Sequence, residues 1–180
     1  MKLHLGCGKR HIPGFIHIDL ADFPHIDYHS DIADLSFIDN DSVSLIYACQ
    51  VLTYFDRETI PEVLGEWRRV LKTGGILRLS VPNFATLCKL YNAGLSLDFF
   101  LGTLYGKWQV RGADTLYHKT TFDAPSLKKL LEDNGYKNCE LWDWRTTEHS
   151  HIDDFSQAYF PHMDKEKGVL FNLNMQAGKA

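Results

Sequence analysis

Residues 3–20 read LHLGCGKRHIPGFIHIDL, with Gly6 and Gly8 after one short apolar run and Asp19 at the end of a second. Glycines in the turn after a first strand let a ligand approach the backbone closely, and an acid at the tip of the next strand can accept hydrogen bonds from ribose hydroxyls. A dinucleotide site would add a third glycine near position 11, a helix facing the pyrophosphate, and an acid about 20 residues further on. Position 11 is His11, and Asp19 follows Gly8 by only eleven residues (19 minus 8). The spacing disfavours NAD and favours a cofactor with a ribose but no pyrophosphate. The plain alternatives are a tight turn for the glycines and solvated strand ends for Asp19 and Asp31.

Three further groups could do chemistry. In EHSHIDDF, His149, His151, Asp153 and Asp154 resemble the HxHxDH ligand run of binuclear metallohydrolases. Asp replaces the final histidine and only His162 follows, so a polar loop is weighed against a metal-dependent hydrolase and no metal ligand is assigned. Cys7, Cys49, Cys88 and Cys139 form no CxxC pair. They read as reduced packing thiols, which points to the cytoplasm. Phe99, Phe100, Tyr105, Trp108 and Tyr117, interleaved with Lys107, Arg111 and Lys119, read either as helix core or as a lid whose cations recognise a phosphate or carboxylate.

The elements that position these residues must fit in 180 residues, 44% hydrophobic, enough core for about one domain spanning 1–180. A net charge of −4 and a pI near 6.1 give no basic footprint, so no nucleic-acid partner is expected. No run approaches the ~18 apolar residues of a membrane span, and a soluble protein without a membrane partner is expected. The Leu-Gly-Cys at 5–7 has only six residues before the cysteine, too few for a lipoprotein leader.

SVSLIYACQVL (42–52) and GGILRLSVP (74–82) are near-continuous apolar runs, as for strands covered on both faces of a parallel sheet. Between them Ile60, Val63, Leu64, Trp67, Val70 and Leu71 recur at helical spacing, with Asp56 or Thr59 as the cap and Gly74-Gly75 as the stop. A second helix is expected over 123–136, capped by Asp123 and ended at Gly135. Strand-like NCELWDW follows, and GVLFNLNMQA alternates as an antiparallel strand with one wetter face would. Residues 84–117 read as one or two helices plus an aromatic loop. The sum is an α/β fold with a doubly wound, mostly parallel Rossmann-like sheet of six or seven strands and one reversed strand near the C-terminus. Adjacent parallel strands usually need a dozen or more connecting residues, so the crossover from Gly8 to Gly14 is expected to be a turn or loop with its helix reduced or absent. A hairpin through Pro13-Gly14 is the alternative.

Taken together, LHLGCG, HIDL, SDIADLSF, SLIYACQVLTYF, EWRRVLKTGGILRLSVPN, LYHKTTFDAPSLKKLLEDNGY and FNLNMQAGK resemble the small, type 11-like group of seven-stranded S-adenosylmethionine (SAM)-dependent methyltransferases over most of the chain. SAM meets the expectation of a ribose without a pyrophosphate. The resemblance implies that Gly6, Cys7 and Gly8 lie against the methionine part of SAM and that Asp19, with Leu20, binds the ribose. It further implies that Asp31 and Ile32 face the adenine amino group and that Cys49 and Gln50 flank the sulfonium. The group's fourth-strand motif carries His and then Glu-His where this chain has Gln50 and then Thr53-Tyr54. A SAM-binding but catalytically silent partner subunit is therefore kept as an alternative. Lys9 or Arg10 is expected to supply the cofactor carboxylate with the charge that a helix N-terminus would have given. The acceptor is expected to be a small molecule, with a sugar-linked one an option because the resemblance implies surface-polysaccharide chemistry. Where the acceptor must lose a proton, His118 is the candidate base and Tyr54 the candidate orienting group. Monomer and homodimer are both open.

Overall fold

The computed structural model describes residues 1–110 and 115–180. In chain order the elements are β1 (Lys2–Leu5), β2 (Ile16–Asp19), β3 (Tyr28–His29), β4 (Val43–Cys49), α1 (Ile60–Val70), β5 (Leu71–Pro82), α2 (Phe84–Asn92) and α3 (Leu97–Tyr105). They continue with β6 (Trp108–Gln109), β7 (Thr115–Leu116), α4 (Ala124–Asp133), β8 (Tyr136–Leu141), β9 (Tyr159–Phe160), β10 (Val169–Leu170) and β11 (Asn172–Lys179). Seven strands form one sheet in the order β3-β2-β1-β4-β5-β11-β8. β11 runs antiparallel to both its neighbours, and the other pairings are parallel.

Parallel pairing of Leu3 with Ile16 and Leu5 with Ile18 rules out the hairpin. Residues 6–15 cross between the two strands without a helix, as expected. Four-residue strands make this possible, because the return path is only about 13 Å and ten extended residues can span about 33 Å.

The two faces of the sheet differ. Leu3, Leu5, Ile18, Ile46, Ala48, Leu77, Leu79, Val81, Leu173 and Met175 point to one face and join Val63, Leu64 and Trp67 of α1 and Leu127 and Leu131 of α4 in a single apolar core. The opposite face is polar. His17, His4, Tyr47, Arg78, Gln176 and Glu140 stand in register on neighbouring strands, one row from β2 to β8. Helices cannot cover such a row with apolar stripes, so irregular segments 6–15 and 142–158 cover it with hydrogen bonds and rings. Tyr47 Oη donates to Asp154 Oδ2 at 2.6 Å, Asn174 Nδ2 to Ser156 O at 2.9 Å, and Trp142 Nε1 to Leu79 O at 3.0 Å. Ile12 and Phe15 pack with Leu45, Tyr47 and Trp142.

Two local expectations need correction. α1 ends at Val70 and Leu71 begins β5 directly, because Leu71 is drawn into pairing with Val43. Gly74 and Gly75 therefore lie within β5 and do not stop the helix; a Cβ on Gly75 would sit 2.8 Å from Lys72 O and 2.9 Å from Val43 O. β11 has no wet face at its start, since Asn172 and Asn174 are both 4% exposed and bond to Ser80 and Ser156. α4 follows its sequence signals closely: Asp123 accepts from Ser126 N at 2.9 Å, Ser126 Oγ accepts from Asp123 N at 3.0 Å, and Gly135 takes φ +83° after the helix.

Candidate functional site

The crossover after β1 has no helix to satisfy its amides, and β2 supplies the partners. Gly6 N donates to Ile18 O at 2.8 Å, Gly8 N to Asp19 Oδ2 at 2.7 Å, and Ile12 N to His17 Nε2 at 2.9 Å. Asp19 Oδ1 accepts from Ala21 N at 2.7 Å. Its carboxylate thus pins the glycine turn while keeping one lone pair per oxygen. Both glycines take a left-handed φ, and they differ in how closely the neighbours approach. Gly6 has φ +61° and an ideal Cβ there would lie 2.1 Å from Val51 Cγ1; Gly8 has φ +52° and its Cβ would lie 3.3 Å from the Trp108 ring.

At the tip of β4 the chain bends through Gln50, which takes φ +63°, an uncommon conformation for a residue with a side chain. Gln50 N donates to Ser80 O at 2.8 Å, and Thr53 Oγ1 donates to Gln50 O at 3.2 Å. A 3-10 turn, Leu52–Tyr54, then aims Tyr54 at the turns after β1 and β2.

These turns enclose a cleft of about 350 Å³ beyond the carboxyl ends of β1, β2 and β4. That size falls in the range of small-molecule sites, about 300–1,000 Å³. Gly6, Cys7, Gly8, Asp19, Leu20, Asp31, Ile32, Cys49, Gln50 and Tyr54 all line it. Arg10 lines it too, with Nε donating to Asp153 O at 3.0 Å, whereas Lys9 does not. Trp108, Val110, Leu116, Phe55, Asp154 and Phe155 complete much of the lining. Sequence reading missed His4, Val51, Phe55, Val110, Leu116 and Phe155. Val51 and Phe55 flank the singled-out Thr53-Tyr54, but Phe155 arrives from a distant segment and carries no local signal.

His118 is not among the lining residues. Its Nδ1 meets Thr103 O at 3.0 Å, its ring packs edge-on to Tyr54 with centroids 4.6 Å apart, and a Cβ on Gly106 would touch it. Burial holds the His118 pKa below the usual histidine range and raises that of Tyr54. Burial, then Asp19, pushes the Cys7 thiol up to about 12, and burial, then Asp154, raises Cys49. Both are protonated packing thiols near neutral pH.

The aromatic cluster divides. Phe99 and Phe100 pack with Leu87, Leu90, Phe160 and Phe171 away from the cleft, and Tyr105 and Tyr117 are exposed. Trp108 covers Gly8, and Lys119 lines the cleft with Nζ on Asp56 Oδ2 at 2.8 Å. Arg111 lies outside the described residues. His149 is 1% exposed, its ring tilted against that of Tyr47 with centroids 4.4 Å apart, while Asp154 accepts from Tyr47 and from Ser156 N. Among the described residues no three His, Cys, Asp or Glu side chains are grouped to hold a metal ion, and no helix is long and apolar enough to cross a membrane.

Residues 13–79 match a family model described as a methyltransferase domain. No curated protein sequence matches the chain. Among solved structures, a SAM-dependent methyltransferase from Archaeoglobus fulgidus superposes with a TM-score of 0.61 at 16% identity, covering 99% of this chain and 85% of that one. A possible histamine N-methyltransferase from Thermotoga maritima gives 0.59 at 12% identity, with 99% and 82% covered. The 1,6-didemethyltoxoflavin-N1-methyltransferase of Burkholderia thailandensis, solved with bound 1,6-didemethyltoxoflavin and S-adenosylhomocysteine, gives 0.56 at 12%, with 99% and 70% covered.

Proposed function

We propose that the chain is a Rossmann-like, SAM-dependent methyltransferase whose cleft binds SAM and presents the methyl group to a small-molecule acceptor, residues 1–180 acting as one unit. The observation that carries the reading is the glycine turn: two backbone positions at positive φ where a Cβ would strike Val51 or crowd Trp108, pinned by an acid at the tip of the neighbouring strand.

In this reading Asp19 takes the ribose hydroxyls with its remaining lone pairs, and Leu20 packs beside them. Asp31 and the Ile32 backbone face the adenine. Gly6, Cys7 and Gly8 accommodate the methionine chain, and Arg10 faces its carboxylate. SAM, when bound, supplies an electrophilic methyl on a sulfonium, and transfer is an in-line displacement. The chain's contribution is then alignment and dryness, which can be worth about 7–11 kcal/mol at best. Cys49 and Gln50 flank the sulfonium end. Tyr54, Phe55 and Trp108 exclude water, and His118 orients Tyr54, a role its edge-on packing favours over direct proton transfer. The four cysteines are free, in keeping with a proposed cytoplasmic location. A sugar-linked acceptor remains the finer proposal.

Calorimetric titration with S-adenosylhomocysteine, followed by a methyl-transfer screen over small-molecule acceptors, tests the reading. Micromolar or tighter binding with turnover is expected. Absence of binding by the folded chain refutes it, and binding without any turnover selects the silent partner subunit.

A further inference from the structure

We propose that His17 is a positioning residue for the cofactor turn: in its neutral, Nδ1-protonated form it holds the crossover at Ile12, and acid releases that hold. This rests on the assignment of the cleft as the SAM site. Ile12 N donates to His17 Nε2 at 2.9 Å, and both residues are buried, at 2% and 1% exposure. A ring nitrogen that accepts an amide proton carries none itself. The ring proton of neutral His17 therefore sits on Nδ1, which faces Asp27 Oδ2 at 3.3 Å. The same Asp27 oxygen accepts from His17 N at 2.8 Å, fixing the ring's base from its own strand.

Protonation turns both ring nitrogens into donors. Nε2–H would then confront Ile12 N–H, two donors in a dry contact, and the crossover loses its partner. After burial the strongest influence on the ring is the Asp27 hydrogen bond, which favours its charged form, whereas the surrounding histidines disfavour it. His11 of the crossover stands 4.9 Å from the His17 ring, His25 of the segment after β2 5.4 Å, and His4 of β1 5.5 Å; each opposes a second positive charge once it is protonated. Asp27 alone opposes them, and its carboxylate is half exposed. Burial keeps the His17 pKa below 6.5, so the release lies on the acid side of neutrality.

The path to the cleft is short. Ile12 follows Arg10 by two residues and Gly8 by four, and both of these line the cleft. His17 and Asp19 point to the same face of β2, one strand repeat apart, and each receives an amide from the crossover. Together they replace the hydrogen-bond partners that a first helix would have given its own turn.

The test is titration of the full chain with S-adenosylhomocysteine between pH 5.5 and 8.0 for wild type, His17→Gln and His17→Leu, alongside nitrogen-15 imidazole spectra of the unliganded wild type. A glutamine Oε1 can accept from Ile12 N and does not titrate. Expected are the Nδ1–H tautomer at pH 7.5, a wild-type affinity that weakens roughly tenfold towards pH 5.5, and a clearly flatter acid limb in His17→Gln. His17→Leu should bind roughly tenfold more weakly at pH 7.5, the cost of an unpaired buried amide. An Nε2–H tautomer, an imidazolium at pH 7.5, or a glutamine variant with the wild-type acid limb overturns the proposal alone. A folded wild type that binds no S-adenosylhomocysteine at any pH overturns the cofactor reading as well. Should His17→Leu fail to fold, the tautomer and the glutamine variant still decide.

Discussion

Gly6→Ala separates steric from conformational demands at the centre of the cleft. The new methyl would arrive 2.1 Å from Val51 Cγ1, in a backbone held at φ +61°. A non-glycine residue in the left-handed region costs roughly 1–2 kcal/mol, and forcing a methyl into a filled space typically costs about 1–3 kcal/mol. The sum, about 2–5 kcal/mol, is a large part of the 5–15 kcal/mol that holds a typical domain together. Val51→Ala removes the clashing Cγ1 and leaves Val51 Cβ 3.2 Å from the new methyl, so the double variant should recover the overpacking part and retain the backbone part. Urea unfolding of wild type, both single variants and the double variant completes the cycle, with a coupling of about 1–2 kcal/mol expected. Because Gly6 lines the cleft, affinity for S-adenosylhomocysteine should fall in Gly6→Ala and return in part in the double variant. A loss below about 0.5 kcal/mol, or free energies that simply add, would refute the collision as the reason for glycine here.

Trp108→Ala should weaken S-adenosylhomocysteine binding roughly tenfold with little change in Tm, since the half-buried ring covers Gly8 from a strand of only two residues; an unchanged Kd removes it from the site. Tyr47→Phe strips Asp154 of its buried hydroxyl donor and should cost about 1–3 kcal/mol in urea unfolding, an effect absent if that hydrogen bond is dispensable. His4, His17 and His149 are each held below the ordinary 6.5, chiefly by burial. The unfolded chain therefore binds more protons than the native one on the acid side, so their contribution to stability is intact above pH 6.5 and is lost as pH falls towards the native values. Tm should drop between pH 7 and pH 5.5 at fixed salt, and a flat profile would contradict the buried neutral histidines.

Local signals carried far in this sequence where short-range physics decides the outcome. The glycine turn and Asp19 could be read because strand ends and turns are built from neighbours in the chain, and Asp123, Ser126 and Gly135 bound α4 for the same reason. Reading failed where partners are distant. Nothing around Leu71 announces that pairing with Val43 will end α1 before the glycines. The alternation in FNLNMQ is genuine, but its polar positions bond to Ser80 and Ser156 instead of water, a pairing 92 residues away in one case and 18 in the other. The residue type of His118 says nothing of its neighbours, and its place beside Gly106, Thr103 and Tyr54 is set by tertiary contacts. Phe155 reaches the cleft only because the second face of the sheet is polar and needs a hydrogen-bonding cover.

The reversed β11 also dictates an order of assembly. It lies between β5 and β8 and is the last strand of the sheet to leave the ribosome. Until residues 172–179 emerge, β5 presents a long open edge and β8 has no strand to pair with. An unpaired edge of that length invites pairing with other chains. The nascent protein therefore carries this open edge until synthesis reaches the end of β11.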